Sequence, residues 1–239
     1  MVDPREGAFT RATGREVEGN HAQPRYRRYQ FDLISPHCGR SILEVGAGVG
    51  EFSAQFTDRE RLVLTDVDPI AVDEMGKRFA DRSEIEACQL DLDGSLELDG
   101  EPVESVVAIN VLEHIEDDVA ALKSLARLVV PGGTIVLWVP AYQTLYGDFD
   151  RKVGHVRRYT PATMRGAVEA AGLTTRVCRP VNFLGGLAWW LAVRIGGTGS
   201  PRPGMVAVYD RLVVPVTRIV DRLRPPFGQT VLCVVEVPA

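Results

Sequence analysis

Residues Ser41-Ile-Leu-Glu-Val-Gly-Ala-Gly-Val-Gly-Glu-Phe52 decide the fold: an apolar run, then glycines at the alternate positions 46, 48 and 50. The stretch reads as a buried strand that turns tightly into a helix. Glycine takes backbone angles closed to other residues and has no Cβ, so a ligand can lie directly on the main chain. A helix starting there offers unpaired N–H groups to a carboxylate, a ribose or a phosphate. The glycines alone do not name the ligand, because dinucleotide-binding folds place G-x-G-x-x-G at the same point. Here the sixth position is Glu51, whose carboxylate opposes a pyrophosphate, and Glu44 stands two residues before the first glycine. That acid suits a ligand with a positively charged end.

Glu44-Val-Gly-Ala-Gly-Val-Gly50 resembles the first motif, loosely acid-x-G-x-G-x-G, of the class I S-adenosylmethionine (SAM) dependent methyltransferases. The resemblance implies a Rossmann-like α/β sandwich. Its seven-stranded, mostly parallel sheet carries helices on both faces, with the last strand inserted antiparallel. It also implies SAM as methyl donor, S-adenosylhomocysteine (SAH) as product and no metal, with Glu44, Gly46, Ala47, Gly48 and Gly50 forming the first wall of the cofactor site.

Working outward, Arg61–Asp66 reads as a second strand ending in an acid 20 residues after Gly46. A carboxylate at that tip accepts bonds from both hydroxyls of a ribose. Val67 follows it, and Asp68 caps the next helix with Pro69 at its first position. Ile85–Leu90 makes a third strand that ends at Asp91-Leu92-Asp93. By the resemblance Asp91 takes the adenine amino group and Leu92 borders the ring; a plain turn before Gly94 is the alternative. Ser105–Val111 is a fourth strand, and Asn110-Val-Leu-Glu-His-Ile115 resembles the stretch that follows it in many small-molecule and lipid methyltransferases. There Asn110 faces the methionine amine, Val111 is a further cofactor contact, Leu112 covers the adenosine, and His114 opens the next helix near the transferred methyl, with a structural imidazole bonded across that helix start as the competing account. Ahead of the glycines, Arg25–Ile34 has helical spacing, and Tyr26 and Arg28 are its candidates for the methionine end, with packing onto the sheet as the competing reading.

Val119–Val130 is helical and stops at Pro131-Gly132-Gly133, and Thr134–Val139 is a fifth strand. Thr160 caps a helix from Pro161 to Ala171. Leu173–Phe183 and Thr230–Val237 are the last strands. Between these two strands, residues 184–224 form a helical insertion placed to cover the active site. Within it Arg211, Arg218 and Arg222 fall on one helical face, with Leu212, Val216, Ile219 and Leu223 opposite. That pattern fits a docked lid, then a homodimer contact, then a membrane-surface helix. Residues 1–23 are polar and without period, a flexible segment ahead of a methyltransferase domain over 24–239.

The stretch from Tyr142 to Tyr159 is rich in aromatic, acidic and basic groups where relatives contact substrate. Gly154-His-Val-Arg-Arg-Tyr-Thr160 resembles a motif of bacterial methyltransferases encoded beside glycosyltransferases. Tyr142, Tyr146, Arg157, Arg158 and Tyr159 are the substrate candidates, the arginines holding a phosphate or carboxylate unless they pair with Asp148 and Asp150. SAM carries its own electrophilic carbon, so the protein need only align and desolvate the acceptor. An alcohol acceptor profits from a base, and of four histidines His114 and His155 are placed for it. The expected acceptor is an oxygen or nitrogen of a small molecule, a sugar or a lipid-linked glycan precursor.

A net charge of −5 over 239 residues argues against general nucleic-acid binding. The four cysteines are far apart and form no C-x-x-C pair, which suggests neither zinc nor a redox motif and fits reduced thiols in the cytoplasm. The longest apolar stretch near the C-terminal part, 183–195, is too short to span a bilayer. Two other classes remain: a nicotinamide-dependent oxidoreductase, which Asp66 would also serve, and a non-catalytic SAM-binding partner protein.

Overall fold

The computed structural model describes residues 23–92, 100–194 and 203–239. Residues 1–22, 93–99 and 195–202, on which parts of the expected flexible segment, adenine turn and insertion fall, lie outside it. Helix α1 (Pro24–Ile34) leads into strand β1 (Ser41–Val45). Then come β2 (Arg61–Asp66), α2 (Pro69–Arg78), β3 (Ile85–Gln89) and β4 (Val103–Ile109). The chain continues through α3 (Asp118–Ala126), β5 (Val129–Pro140), α4 (Asp148–Val153), α5 (Pro161–Ala170) and β6 (Thr174–Val181). Helices α6 (Phe183–Arg194), α7 (Pro203–Val208) and α8 (Val214–Val220) precede β7 (Thr230–Glu236).

The seven strands form one sheet in the order β3-β2-β1-β4-β5-β7-β6. β1 to β5 run parallel, and β7 enters antiparallel between β5 and β6. Strand periodicity divides the core between the two faces. Leu43, Ile135, Leu137, Val231 and Cys233 face the layer of α3 and α5, while Ile42, Val136, Trp138, Leu232 and Val234 face that of α1, α2 and α8. Both faces are covered, as the near-continuous apolar strands require. The four cysteines are free thiols. Among the described residues no helix is long and apolar enough to cross a membrane.

Three local expectations are corrected. The glycine stretch leads not into a helix but into turns and a single 3-10 turn, Ser53–Gln55. Gly50 at φ +71 interrupts the first turn, and the chain must reach Arg61 soon after. His114 likewise opens no helix: Leu112–His114 is one 3-10 turn, and α3 starts at Asp118 because Asp117 accepts the Ala120 N–H at 2.8 Å. Pro131-Gly132-Gly133 lies inside β5, at a register shift against β4, with the Gly132 N–H donated to Val237 O.

The segment 203–223 is nearly continuous helix with a π turn, Tyr209–Val213, in the middle. Pro215 has no N–H to give the carbonyl four residues back, which belongs to Arg211. That carbonyl accepts Arg25 Nη1 at 2.6 Å instead. Two inward aspartates fasten the segment. Asp210 accepts the N–H groups of Arg25 and Tyr26 at the start of α1, and Asp221 accepts those of Asn182 and Phe183 at the start of α6. Each aspartate thus satisfies the orphan donors of a neighbouring helix.

Candidate functional site

The C-terminal ends of β3, β2, β1 and β4 stand side by side, and the expected cofactor residues line that edge. Gly46 and Gly48 both have positive φ, +70 and +59. A Cβ on Gly46 would come within 2.6 Å of Val111 Cγ2, so the first glycine is required by the approach of two strand ends. A Cβ on Gly48 would meet nothing within 4 Å. The space over this second glycine is therefore open, and it is what a ligand lying on the loop needs. Asp66, at the end of β2, accepts the Gly48 N–H at 2.9 Å and the Asp68 N–H at 3.0 Å, one on each oxygen. A carboxylate oxygen accepts from more than one donor, so a ribose hydroxyl can also be received at this strand end. Val67 is half-buried beside it. Asn110 ends β4 in a left-handed conformation, φ +53, with its N–H on Trp138 O. Asp91 is exposed at the end of β3, and Leu92 packs partly against the core. An open glycine cradle with an acid for the ribose at the neighbouring strand end fits a nucleoside such as that of SAM.

Glu44 is buried and accepts the Ser53 hydroxyl. Burial pushes its carboxyl up to about 7, against the bond from Ser53 and the nearby Arg27 guanidinium. Arg27 is the residue that the sequence reading missed. Its guanidinium pairs with Glu51 beside the glycine loop, and Arg78 of α2 donates to Val49 O of the loop at 3.0 Å. The expected basic residue, Arg28, instead pairs with Asp32 at 2.8 Å and its side chain is 63% exposed. Position on α1 decides this: neighbouring residues lie about 100° apart on a helix, so only one of two adjacent arginines can face the loop. Tyr26 packs edge-on to Trp138 at 6.4 Å and 6.0 Å from Tyr29, which is the sheet-packing alternative. Leu112 is a core residue, 1% exposed, and Val111 is the neighbour that meets the loop.

The second half of the site is a polar cluster beside the end of β4. Helix α4 ends at Gly154 in the left-handed conformation, and the chain turns His155 back inward, where it is 6% exposed. His155 Nδ1 lies 2.7 Å from Asp150 Oδ1, and its Nε2 is 3.8 Å from Glu113 Oε1. The His114 ring stands edge-on at 4.7 Å between centroids and is the more open of the two. Asp150 also accepts Arg158 Nε at 2.7 Å, Arg158 Nη2 at 3.0 Å and the Gly147 N–H at 2.8 Å. Burial alone would raise its carboxyl, but these donors and His155 hold it below the usual carboxylate range. Glu113, His114 and His155 each bring one ligand-type atom within 4.8 Å of the others.

Three expected substrate contacts have other work. Arg158 is buried on Asp150, donates to Ala141 O and lies over the Trp189 ring. Tyr159, 2% exposed, donates to Asp118 Oδ2 at 2.9 Å, and Arg157 pairs with the same carboxylate at 2.9 Å. Asp118 and Asp150 therefore take the charge expected to hold an anionic acceptor. Tyr142 donates to Pro226 O and stacks on Phe227 at 4.9 Å, and Tyr146 donates to His155 O at 2.7 Å. Trp189 of α6 donates to Leu145 O and meets Phe149 edge-on at 5.3 Å, so the first helix after β6 adjoins this cluster.

A family model described as a methyltransferase domain matches residues 43–135, the span from β1 into β5. A Mycolicibacterium smegmatis protein described as an S-adenosylmethionine-dependent methyltransferase is 28% identical over 179 residues, 72% of this chain and 68% of that one. Other curated relatives are matched over less than half of their own length, 43–47%. Among solved structures, N-methyltransferase NodS from Bradyrhizobium japonicum, in complex with SAH, superposes with a TM-score of 0.60 at 17% identity, covering 96% of this chain and 99% of that one. A chain from the complex between the Haloferax volcanii Trm112 methyltransferase activator and a methyltransferase gives 0.64 at 19% identity, covering 95% of both.

Proposed function

We propose that the chain is a class I SAM-dependent methyltransferase and that it moves the methyl group of SAM to an oxygen or nitrogen of a small molecule, a sugar or a lipid-linked glycan precursor. The observation that carries this reading is the pairing of the open Gly48 cradle and Asp66 with an imidazole cluster at the end of the adjoining strand β4. Gly46, Ala47, Gly48 and Gly50 would carry the cofactor on their main chain. Asp66 and Val67 would meet its ribose, Asp91 and Leu92 its adenine, and Asn110, Val111 and Arg27 its methionine end. When bound, SAM supplies a methyl carbon already activated by the sulfonium, so this chain's residues orient the acceptor and manage one proton.

His114 is the base that faces the acceptor, and His155 is its positioning residue. Asp150 on Nδ1 fixes the tautomer and ring plane of His155, which in turn braces His114 edge to face. Tyr142 and Tyr146 border the acceptor, and the helices between β6 and β7 close over it. The test is turnover with labelled SAM across an acceptor panel beside SAH titration. His114→Ala should lose on the order of 10²- to 10⁴-fold in turnover on a hydroxyl acceptor while keeping SAH affinity. Turnover unchanged in that variant would remove His114 from the chemistry.

A further inference from the structure

The helical segment 203–223 turns a second face outward. Met205, Val208, Leu212, Val216, Ile219 and Leu223 recur every three or four residues and are all exposed, from 49% at Val216 to 83% at Leu223. This is the stripe of an amphipathic helix, but it points away from the core. Inward-facing groups are buried on the opposite side: Asp210, Val214, Thr217 and Asp221. Helix α6, which packs on α8, adds exposed Leu187, Trp190 and Leu191.

Among the described residues, the exposed charge on this face is positive apart from Asp32. The segment's only acids are Asp210 and Asp221, and both are turned inward as caps for α1 and α6. The arginines are all outside: Arg211, Arg218, Arg222 and Arg224 are exposed. Packed against α8, α1 adds exposed Arg25 and Arg28. Its one acid, Asp32, pairs with both Arg28 and Arg218. A chain with net charge −5 has thus set six exposed arginines around an exposed apolar stripe. A symmetric second copy would bring arginines to arginines, with Asp32 already engaged. A bilayer containing anionic lipid offers both missing complements, a negative surface and an apolar layer beneath it.

We propose that the 203–223 face is a membrane-docking surface, on which the helix lies in the plane of an anionic phospholipid bilayer with its apolar stripe inserted and its arginines among the headgroups. Docking there brings α6, and through Trp189 the Leu145–Phe149 wall of the acceptor site, to the bilayer surface. The surface stands on its own geometry and its assay requires no turnover, so it can fail or hold independently of the methyltransferase reading.

The experiment is co-sedimentation of the full chain with vesicles of phosphatidylglycerol and phosphatidylcholine, against phosphatidylcholine alone. Binding to the anionic vesicles is expected, falling as salt rises. Leu212→Asp and Ile219→Asp should abolish it, and Arg211→Ala and Arg222→Ala should each weaken partitioning about fivefold. Thermal melts confirm that the variants fold, and the salt series on the parent protein needs no variant at all. No binding to anionic vesicles, or binding equal in parent and variants, would overturn the proposal. So would a solution dimer that Leu212→Asp dissolves, since that result gives the face to a second copy.

Discussion

Asp150 and His155 are locked side chain to side chain, Oδ1 to Nδ1 at 2.7 Å, and the same carboxylate is gripped by Arg158 through Nε and Nη2. Three residues of one short loop-helix-loop therefore share a buried ionic centre. Removing the carboxylate charge would leave the Arg158 guanidinium buried and unneutralised. We expect Asp150→Asn to cost about 3–5 kcal/mol in denaturant unfolding. A loss below about 1 kcal/mol would show that the cluster is not structurally engaged.

In the proposed mechanism His155 acts through His114, so its replacement should be felt in rate and not in cofactor affinity. His155→Ala is expected to lower turnover on a hydroxyl acceptor and to shift the pH–rate profile that His114 sets, with the SAH titration unchanged. A profile identical to the parent's would confine His155 to a packing role.

Gly46 and Gly48 separate fold from ligand. Gly46→Ala should destabilise the protein, because its Cβ runs into Val111 at 2.6 Å on a left-handed backbone. Gly48→Ala has open space, so its cost to folding is limited to the backbone angle, about 1 kcal/mol. Its added methyl occupies the cradle, and SAH affinity should fall at least tenfold in calorimetry. Full affinity in Gly48→Ala would mean that the ligand does not lie on this loop.

Glu44 gives a pH signature. Its carboxyl is raised in the fold from 4.5 to about 7, so the native state holds the proton more tightly than the unfolded chain. The associated stability is present below about pH 4.5 and is lost as pH rises through about 7, to the extent of about 3 kcal/mol. Glu44→Gln should flatten the stability curve across that window in melts at a series of pH values. An unchanged slope would assign the pH dependence to other groups.

The adjacent arginines of α1 make a paired test. Arg27→Ala should weaken SAH binding, because it removes the guanidinium beside the glycine loop, and Arg28→Ala should leave it unchanged. Equal effects from both would contradict the orientation of α1.

The sheet was legible because its signals are local. Apolar runs ending in Gly46, Asp66 and Asn110 mark three parallel strand ends, and each is found at the edge where it was expected. The acceptor side was less legible. Arg158 and Tyr159 read as ligand contacts until α4 and Gly154 fold the chain back, giving Arg158 to Asp150, while Tyr159 meets Asp118 from a different element. The Arg158–Asp150 pairing is the alternative that the nearby acids already offered, whereas nothing in the spacing announces that of Tyr159 with Asp118. The choice between Arg27 and Arg28 hangs on one helical step of rotation, which the sparse apolar pattern of α1 does not fix. The helix expected after Gly50 was overruled by that glycine's own positive φ.

A SAM site at the glycine loop is tested by calorimetric titration of the parent protein and of Asp66→Ala with SAM and SAH. Both ligands should bind the parent at micromolar concentrations, with at least tenfold weaker binding to a folded Asp66→Ala variant. No binding by the folded parent, or equal binding by the variant, would contradict it.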